Sequence, residues 1–387
     1  MLESVKDETP NRRFEPMADL HLHAVKPTNE EDLKAGRVTE PWVSSEYRGV
    51  STKEFVDKKL SKDRYGKSCV LDITRAFREA GLPAPPHLID ALYHAVMDED
   101  YPDVLTFLTI GTPACFTMEE TIRSMWAFKG FLKIDIIPST PINLEYGVMA
   151  KNLETLTPAA EKYGYRPVVK LHPLIQQFHL GRIPDEVFRV LNEHGALLVT
   201  HTGVFQGGPC IIQEGILDID ASDPKHMEKP ASKYPNIDIL LSHMGTPDTI
   251  AQTYWFKHGK DIKHFRNAIQ LLLDHPNIYG DMGGLMYSAP TEGHYGEEKS
   301  ETEVDFTSRS ELAFDSIAMR SDDSVRYGEK GKITFMEKIV HGSDFPVTSI
   351  AELRKQMRLL GTIGKGEKAR NIRNNMAHRA YNLARKR

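Results

Sequence analysis

Residues 166–201 read RPVVKLHPLIQQFHLGRIPDEVFRVLNEHGALLVTH. The runs at the two ends, Arg166–His172 and Ala196–His201, are short and rich in Val and Leu, which is typical of buried strands. Pro184 suits the first turn of a helix between them, and Gly195 suits its end. Because a helical segment joins two apolar strands, the stretch indicates the strand–helix–strand unit of a parallel sheet.

The same alternation of apolar runs and helical patterns extends along most of the chain, and it predicts eight strands. Several runs are almost continuously apolar, as expected when both faces of a sheet are covered. Eight strands favour a closed (β/α)₈ TIM barrel of the α/β class, whereas six or seven would suit an open sheet. The predicted strands are Met17–His23, Asp103–Ile110, Leu132–Pro138, Arg166–His172, Ala196–His201, Ile237–His243, Asn277–Met282 and Lys338–Asp344.

Two long insertions interrupt the alternation within a single predicted domain, 1–387. Residues 24–102 follow the first strand and are too long for a simple loop, so we expect helices near Val70–Ala80 and Pro86–Met97. Residues 284–337 are polar and charged and separate the last two strands. Both insertions would lie at the carboxyl end of the barrel. There they would either cover a site or serve as solvated or oligomer-contact segments.

Composition narrows the class of protein. The 49 Lys and Arg residues nearly balance the 54 Asp and Glu residues, for a net charge of −5, which argues against nucleic acid or an anionic membrane as a partner. Cys69, Cys115 and Cys210 form no CxxC pair, and the polar amino terminus lacks the apolar core of a signal peptide. We therefore expect a cytoplasmic protein that acts on a small molecule, with a homodimer as an open alternative.

The first predicted strand ends in Asp19-Leu-His21-Leu-His23. Side chains two residues apart on a strand point the same way, so His21 and His23 would present two imidazoles to one ion, with Asp19 one layer deeper. Neutral imidazole suits Zn²⁺ and similar ions. The HxH pattern is weak alone, but its position at the end of an apolar strand favours a metal site.

Four other predicted strands also end in potential ligands. The fourth ends with Lys170 and His172, the fifth with His201, the sixth with His243 and the eighth with Asp344. A hydrogen-bonded structural role is the usual interpretation of any single buried histidine. Because barrel active sites collect residues from the carboxyl ends of several strands, the recurrence predicts one shared site.

In this order, HxH, Lys, His, His and Asp resemble the amidohydrolase superfamily. The motifs DLHLH, VKLHP, THTG, SHMG and GSDFP resemble its amidohydrolase-2 branch of TIM-barrel, metal-dependent hydrolases and decarboxylases. The closing segment Asn374–Leu383 resembles the terminal helix of that branch. The resemblance extends from Met17 to Leu383, although the two insertions match nothing in it.

The resemblance assigns roles to matching positions. It implies that His21, His23, His201 and Asp344 hold the main ion, with Zn²⁺ favoured and Mn²⁺ as an alternative. Asp344 would also take a proton from the metal-bound water. His243 would bind a second ion or polarise the substrate as a catalytic imidazole.

Lys170 decides between branches of the family. In the two-metal branch, a lysine at this position is carboxylated and bridges both ions, whereas the one-metal decarboxylases lack it. We favour the carbamate at Lys170, with an ion pair as the alternative. His172, on the same face, would contact substrate or serve packing. Asp281, in YGDMGG, would point into the site or serve as a cap.

The predicted activity is hydrolysis of an amide, lactone, ester or related bond by a metal-activated water. The alternative is a one-metal, non-oxidative decarboxylase of an aromatic or unsaturated carboxylic acid. A non-enzymatic barrel that keeps metal for stability is disfavoured, because structural zinc sites are usually closed and rich in cysteine.

Overall fold

A computed structural model describes nine stretches of the 387-residue chain. These stretches are residues 16–40, 43–62, 66–98, 101–132, 134–203, 219–245, 263–281, 337–343 and 367–385.

Eight parallel strands form one sheet, in which each strand pairs with the next along the chain. Strict sequential order is what successive strand–helix units produce. The strands are Ala18–His23 (β1), Val104–Leu108 (β2), Asp135–Pro141 (β3), Val168–Leu171 (β4), Leu197–His201 (β5), Asp238–Ser242 (β6), Ile278–Asp281 (β7) and Ile339–Val340 (β8).

Hydrogen bonds also join the first strand to the segment that follows the last one. The backbone N–H of Leu20 in β1 donates to the carbonyl of His341 (3.4 Å), just after β8. The Ser343 hydroxyl donates to the carbonyl of His21 (3.3 Å). The curled sheet is therefore consistent with a TIM barrel, and the prediction of an α/β fold with eight parallel strands is confirmed. The third strand begins at Asp135, three residues later than predicted.

Helices flank the strands. They are Glu30–Ala35 (α1), Thr52–Lys62 (α2), Lys67–Glu79 (α3), Pro86–Met97 (α4), Met118–Leu132 (α5), Tyr146–Glu161 (α6), Pro173–Gln176 (α7), Asp185–Glu193 (α8), Glu228–Lys233 (α9), Lys263–Asp274 (α10) and Glu367–Ala384 (α11). None of the helices in the described stretches is both long and apolar enough to cross a lipid bilayer.

The first predicted insertion contains α1 to α4, and α3 and α4 lie where the sequence places helices. Helix α3 packs against α5, so this part of the insertion joins the layer of helices outside the sheet. Its predicted place over the carboxyl end of the barrel stays a prediction. The second insertion, 284–337, lies outside the described residues except for Glu337.

Alternation along β4 shows how the sheet positions polar groups. Val169 and Leu171 pack in the cluster that contains Leu153 of α6 and Val187 of α8, between sheet and helices. Residues two apart share a face, so Val168 and Lys170 face the other side of the sheet. A fully buried lysine thus ends the inner face of a strand whose outer face is apolar.

At the amino end of the strands, a buried ion pair joins neighbouring segments. The Arg166 guanidinium, just before β4, donates to the Asp238 carboxylate at the start of β6 and to the carbonyls of Gly195 (2.7 Å) and Asn236 (2.9 Å). Both charged side chains are buried. We expect Arg166→Met to lower the free energy of unfolding by about 3–5 kcal/mol, because Asp238 keeps a buried charge without its partner.

Urea unfolding followed by circular dichroism measures this loss. The matched control is the double variant Arg166→Met, Asp238→Leu. It also removes the buried carboxylate that lost its partner, so it should recover part of the stability. A loss of no more than about 1 kcal/mol in the single variant, typical of exposed pairs, would contradict the prediction.

His87 on α4 makes the free energy of unfolding depend on pH in the acidic range. Its side chain is fully buried, and burial lowers the pKa of His87 to about 3. In the unfolded chain the pKa of histidine is about 6.5, so the unfolded state binds more protons between these two values. Stability therefore falls as the pH drops through this window, by up to about 1.4 kcal/mol per pH unit from this residue.

We expect His87→Leu to lose less unfolding free energy than the natural chain between pH 6.5 and pH 4.5. Urea titrations at the two pH values measure the difference. Thr155→Leu, on the exposed face of α6, is the matched control; it adds the same side chain without removing a titratable group and should keep the natural slope. An unchanged slope in the His87 variant would contradict the assignment.

Candidate metal centre

The predicted site residues of β1 and β5 lie on inward strand faces at the carboxyl end of the sheet. On β1, Leu22 packs with the helices of the first insertion, so its neighbours His21 and His23 turn to the opposite, inward face. On β5, Leu198 packs toward the helices, so Val199 and His201 face inward. Two separate strands thus deliver imidazoles to one end of the barrel.

His243 reaches the site by a different route. It follows β6 and, by alternation from Ile239 and Leu241, would face the outer helices. Instead, His243 and Met244 have left-handed backbone conformations, with φ of 62° and 50°. Such conformations are uncommon for residues with a Cβ and are found most often where the surrounding structure holds them in place. The short turn His243–Gly245 redirects the imidazole beside that of His21.

Five imidazole rings form a continuous chain across the site. The ring centroid of His21 lies 5.1 Å from that of His23 and 4.9 Å from that of His243. The centroid of His243 lies 4.7 Å from that of His201, and His172 stacks on His201 at 4.0 Å. The structure therefore brings together every predicted histidine of the site.

Lys170 lies against this chain of rings. Its Nζ is 3.1 Å from Nε2 of His21, and both side chains are fully buried. A buried ammonium is costly without compensating charge. The terminal nitrogen of Lys170 thus lies directly beside a predicted ligand nitrogen.

Burial holds these imidazoles in the neutral form. Burial is the largest cause that lowers the pKa of His21, His23, His172 and His201 far below its usual value. For His21, His23 and His172, the second cause is the positive charge of Lys170. For His201, the second cause is the neighbouring His172. Since only neutral imidazole binds a metal, the electrostatics prepare the rings as ligands.

Asp281, the last residue of β7, contributes a buried carboxylate. Its Oδ2 lies 3.1 Å from Nδ1 of His21, and its Oδ1 accepts the backbone N–H of His243 (3.2 Å). One ligand atom from each of these three residues lies within 4.8 Å of the others. Burial raises the pKa of Asp281, and a bound cation would favour its charged form. The Asp281 carboxylate thus lies beside the site histidines and also accepts the backbone N–H that begins the turn His243–Gly245, so it fills both roles that the sequence left open.

Asp19 joins the first strand to the segment after the last one. Its Oδ1 accepts the backbone N–H groups of His21 and Ser343, both at 3.0 Å. Among the described residues, the other oxygen, Oδ2, is buried without a hydrogen-bond partner. Asp344 directly follows Ser343 in the sequence but lies outside the described residues.

The donor set fits a divalent ion such as zinc. Neutral imidazoles supply nitrogen ligands, and the buried carboxylates of Asp19 and Asp281 add negative charge that a cation would balance. Among the described residues of the site, the Lys170 amine is the group that would oppose a cation in its charged form. Carboxylation of Lys170 would turn this group from a repulsive into an attractive one.

A second group of possible ligands lies nearby, made of Asp220, Asp223 and His264. Here Lys263 already supplies a positive charge, with its Nζ 2.9 Å from Asp220 Oδ1 and 3.5 Å from Asp223 Oδ2. Asn267 donates to both oxygens of Asp223. We interpret this group as an ion-pair network that anchors α10.

Two glycines that pack the site were not singled out from the sequence. A Cβ on Gly342 would lie 2.8 Å from the Cβ of His21 and 2.9 Å from that of Asp281. A Cβ on Gly245 would overlap the carbonyl oxygen of His264. The sequence signal that could have found them is their position. Gly245 follows the predicted ligand His243 in SHMG, and Gly342 precedes the predicted ligand Asp344 in HGSD.

Comparisons with known proteins agree with this architecture. The family model described as Amidohydrolase (Amidohydro_2) matches residues 145–371, which include β4 to β8. No curated protein matches significantly by sequence.

Solved structures also align with the chain. One is a probable 2-pyrone-4,6-dicarboxylic acid hydrolase from Acinetobacter baumannii, at 11% identity, 92% coverage of this chain, 96% of that chain and a TM-score of 0.43. Another is 5-carboxyvanillate decarboxylase from Novosphingobium aromaticivorans. It is 12% identical, the match covers 95% of this chain and 94% of that chain, and the TM-score is 0.44. A third is 2,6-dihydroxybenzoate decarboxylase from Rhizobium. It is 10% identical, the match covers 96% of this chain and 98% of that chain, and the TM-score is 0.44. Similarity this low carries no information about the reaction.

The family match is independent of the β1 motif, because it begins after His21 and His23. It covers more than half of the chain and includes the segments that carry Lys170, His201, His243 and Asp344. The chain belongs to the amidohydrolase family, whose members are metal-dependent enzymes.

Proposed function

We propose that this protein is a metal-dependent hydrolase that cleaves an amide, lactone, ester or related bond of a small molecule. The observation that carries the proposal is the contact of Lys170 Nζ with His21 Nε2, at 3.1 Å, inside a buried group of neutral imidazoles. This placement suits a carboxylated lysine that bridges two ions, the arrangement typical of the hydrolytic branch.

In this proposal His21, His23 and His201 hold the main ion together with Asp344. Carboxylated Lys170 would be a ligand shared with a second ion, which His243 would help to hold. Zinc is favoured because imidazole nitrogen and carboxylate oxygen are its usual ligands in catalytic sites, and manganese is the alternative.

A bound divalent ion would supply Lewis acidity and a water that is acidic enough to react near neutral pH. Asp344 would be the proton acceptor of the site and would return the proton to the leaving group. His172, stacked on His201, borders the same space and contacts the substrate. If only one ion is present, His243 polarises the substrate instead of holding a second ion.

The decarboxylase alternative applies if Lys170 stays an unmodified amine. As an unmodified amine, Lys170 contacts Nε2 of His21 directly and leaves no bridging anion for a second ion. The site would then hold one ion and bind the oxygens of an aromatic or unsaturated carboxylic acid. A histidine or aspartate would protonate the carbon that loses carbon dioxide.

A two-assay screen of the zinc-loaded protein separates these activities. Proton release is followed with lactones, esters and amides, and carbon dioxide release is followed with aromatic carboxylic acids. We expect proton release that a chelator abolishes and zinc restores. Carbon dioxide release without any hydrolysis would overturn the hydrolase proposal in favour of the decarboxylase.

A further inference from the structure

The pairing of β1 with β2 contains one extra residue. Asp19 lies opposite Leu105 and Leu22 lies opposite Phe107, so the pairing advances three residues along β1 but only two along β2. Residues 20 and 21 of β1 therefore share a single position of β2. Such a β-bulge interrupts the hydrogen-bond ladder and re-aims side chains, and bulges are frequent beside active sites.

This bulge decides which way the two histidines of β1 point. Leu20 packs in the inner cluster that contains Val199 of β5, whereas Leu22 packs with helices α3 and α4. On a regular strand these two leucines would share the inner face, and both histidines would point toward the helices. Because the extra residue shifts the alternation by one, His21 and His23 face inward, with their ring centroids 5.1 Å apart.

Side chains hold the backbone of the bulge. The fully buried Asp19 accepts the backbone N–H of His21 at its Oδ1, at 3.0 Å. The Ser343 hydroxyl donates to the carbonyl of His21, at 3.3 Å. Asp19 Oδ1 also accepts the backbone N–H of Ser343, at 3.0 Å. One carboxylate oxygen thus joins the bulged residue to the segment that follows β8.

That segment lies directly against the bulge. Strand β8 has only two residues, and just after it the carbonyl of His341 accepts the backbone N–H of Leu20 at 3.4 Å. A Cβ on Gly342 would lie 2.8 Å from the Cβ of His21. Since the strand is so short, the hydrogen bonds of Asp19 supply part of the connection that a longer strand would make through its backbone.

We propose that Asp19 is a positioning residue of the metal centre, which holds the bulge at residues 20 and 21 against Ser343 and so directs His21 and His23 inward. The inference rests on the proposed metal site. Residues that orient metal ligands typically contribute about 10–100-fold to metal affinity.

Three variants separate the possible roles of Asp19. Asp19→Ala removes the acceptor oxygen. Asp19→Asn removes the charge but keeps an amide oxygen that can accept both N–H groups. Arg166→Met is the matched control for lost stability, because it breaks the buried ion pair at the amino end of the strands and leaves the contacts of Asp19 in place.

The first test needs no metal. NMR of the metal-free, full-length protein follows the backbone amide protons of His21 and Ser343. In the natural protein we expect both to be protected from exchange with solvent, and rapid exchange of both would overturn the inference without any variant. In Asp19→Ala both signals should move upfield, whereas Arg166→Met should leave their chemical shifts in place. Unmoved signals in Asp19→Ala would contradict the hydrogen bonds.

The second test uses Co²⁺, whose visible absorption reports coordination geometry, and competition titration with Zn²⁺. We expect Asp19→Ala to change the cobalt bands and to bind zinc about 10–100-fold more weakly. Asp19→Asn should keep the natural bands and lose less than about tenfold in zinc affinity. Arg166→Met should keep the natural bands and affinity in its folded fraction.

Equal losses in Asp19→Ala and Asp19→Asn would assign the effect to charge and would overturn the positioning role. Natural bands and natural affinity in Asp19→Ala would overturn it as well, since Asp19 would then serve stability alone. If the natural protein binds neither cobalt nor zinc, the proposed metal centre fails, while the amide signals still decide whether Asp19 holds the bulge. The two failures are therefore distinguishable.

Discussion

Lys170→Ala is expected to lower turnover more than about a hundredfold and to reduce the bound metal, because losing a bridging ligand costs more than losing a residue that only supports one. The lysine is fully buried with Nζ 3.1 Å from His21 Nε2, so alanine removes the group that would become the proposed shared ligand. Short carboxylic acids should partly restore activity by occupying the space of the carbamate. Elemental analysis and initial rates measure both effects.

Lys162→Ala is the matched control, since Lys162 lies near Trp126 and Tyr163 on the outside of the barrel. It should keep natural metal content and turnover. Carbon-13 NMR after incubation with labelled bicarbonate adds a direct readout, with a carbamate signal that the Lys170 variant lacks. Intact metal content in Lys170→Ala would contradict the bridging role and favour the one-ion decarboxylase.

Asp344→Asn is expected to lower turnover by about 10²–10⁴-fold, the usual contribution of a positioned proton acceptor. Ser343, the residue before it, is tied to β1 through Asp19 and the carbonyl of His21. Asparagine has nearly the same shape but cannot take the proton. The fold should be unaffected, because the change is isosteric.

Steady-state kinetics and thermal unfolding of the Asp344 variant measure the two effects separately. Asp274→Asn, an exposed aspartate on α10, should leave both unchanged. Unchanged turnover in Asp344→Asn would remove this residue from the mechanism.

The strand pattern could be predicted from sequence because it follows from burial. Parallel strands covered on both faces must be apolar along their length, so polar residues that end them are conspicuous. Lys170 and His201 illustrate this, since each extends the inner face of an otherwise apolar strand. The shared site followed from the rule that parallel strands end at one edge.

Three features could not be predicted because they depend on backbone geometry and on long-range packing. The left-handed turn at His243 reverses the face that alternation assigns to it. The contact of Asp281 with His21 joins β7 to β1, and Gly342 packs so closely against both residues that a Cβ has no room. No local pattern of residues encodes such distances.

The most direct test of the metal centre is a crystal structure of the zinc-incubated protein, with diffraction data collected at the zinc absorption edge. We predict one or two strong anomalous peaks bounded by His21, His23 and His201, with the first peak on the Nε2 side of His21. An electron-density map that shows these imidazoles in place and no anomalous peak among them would contradict the proposed enzyme.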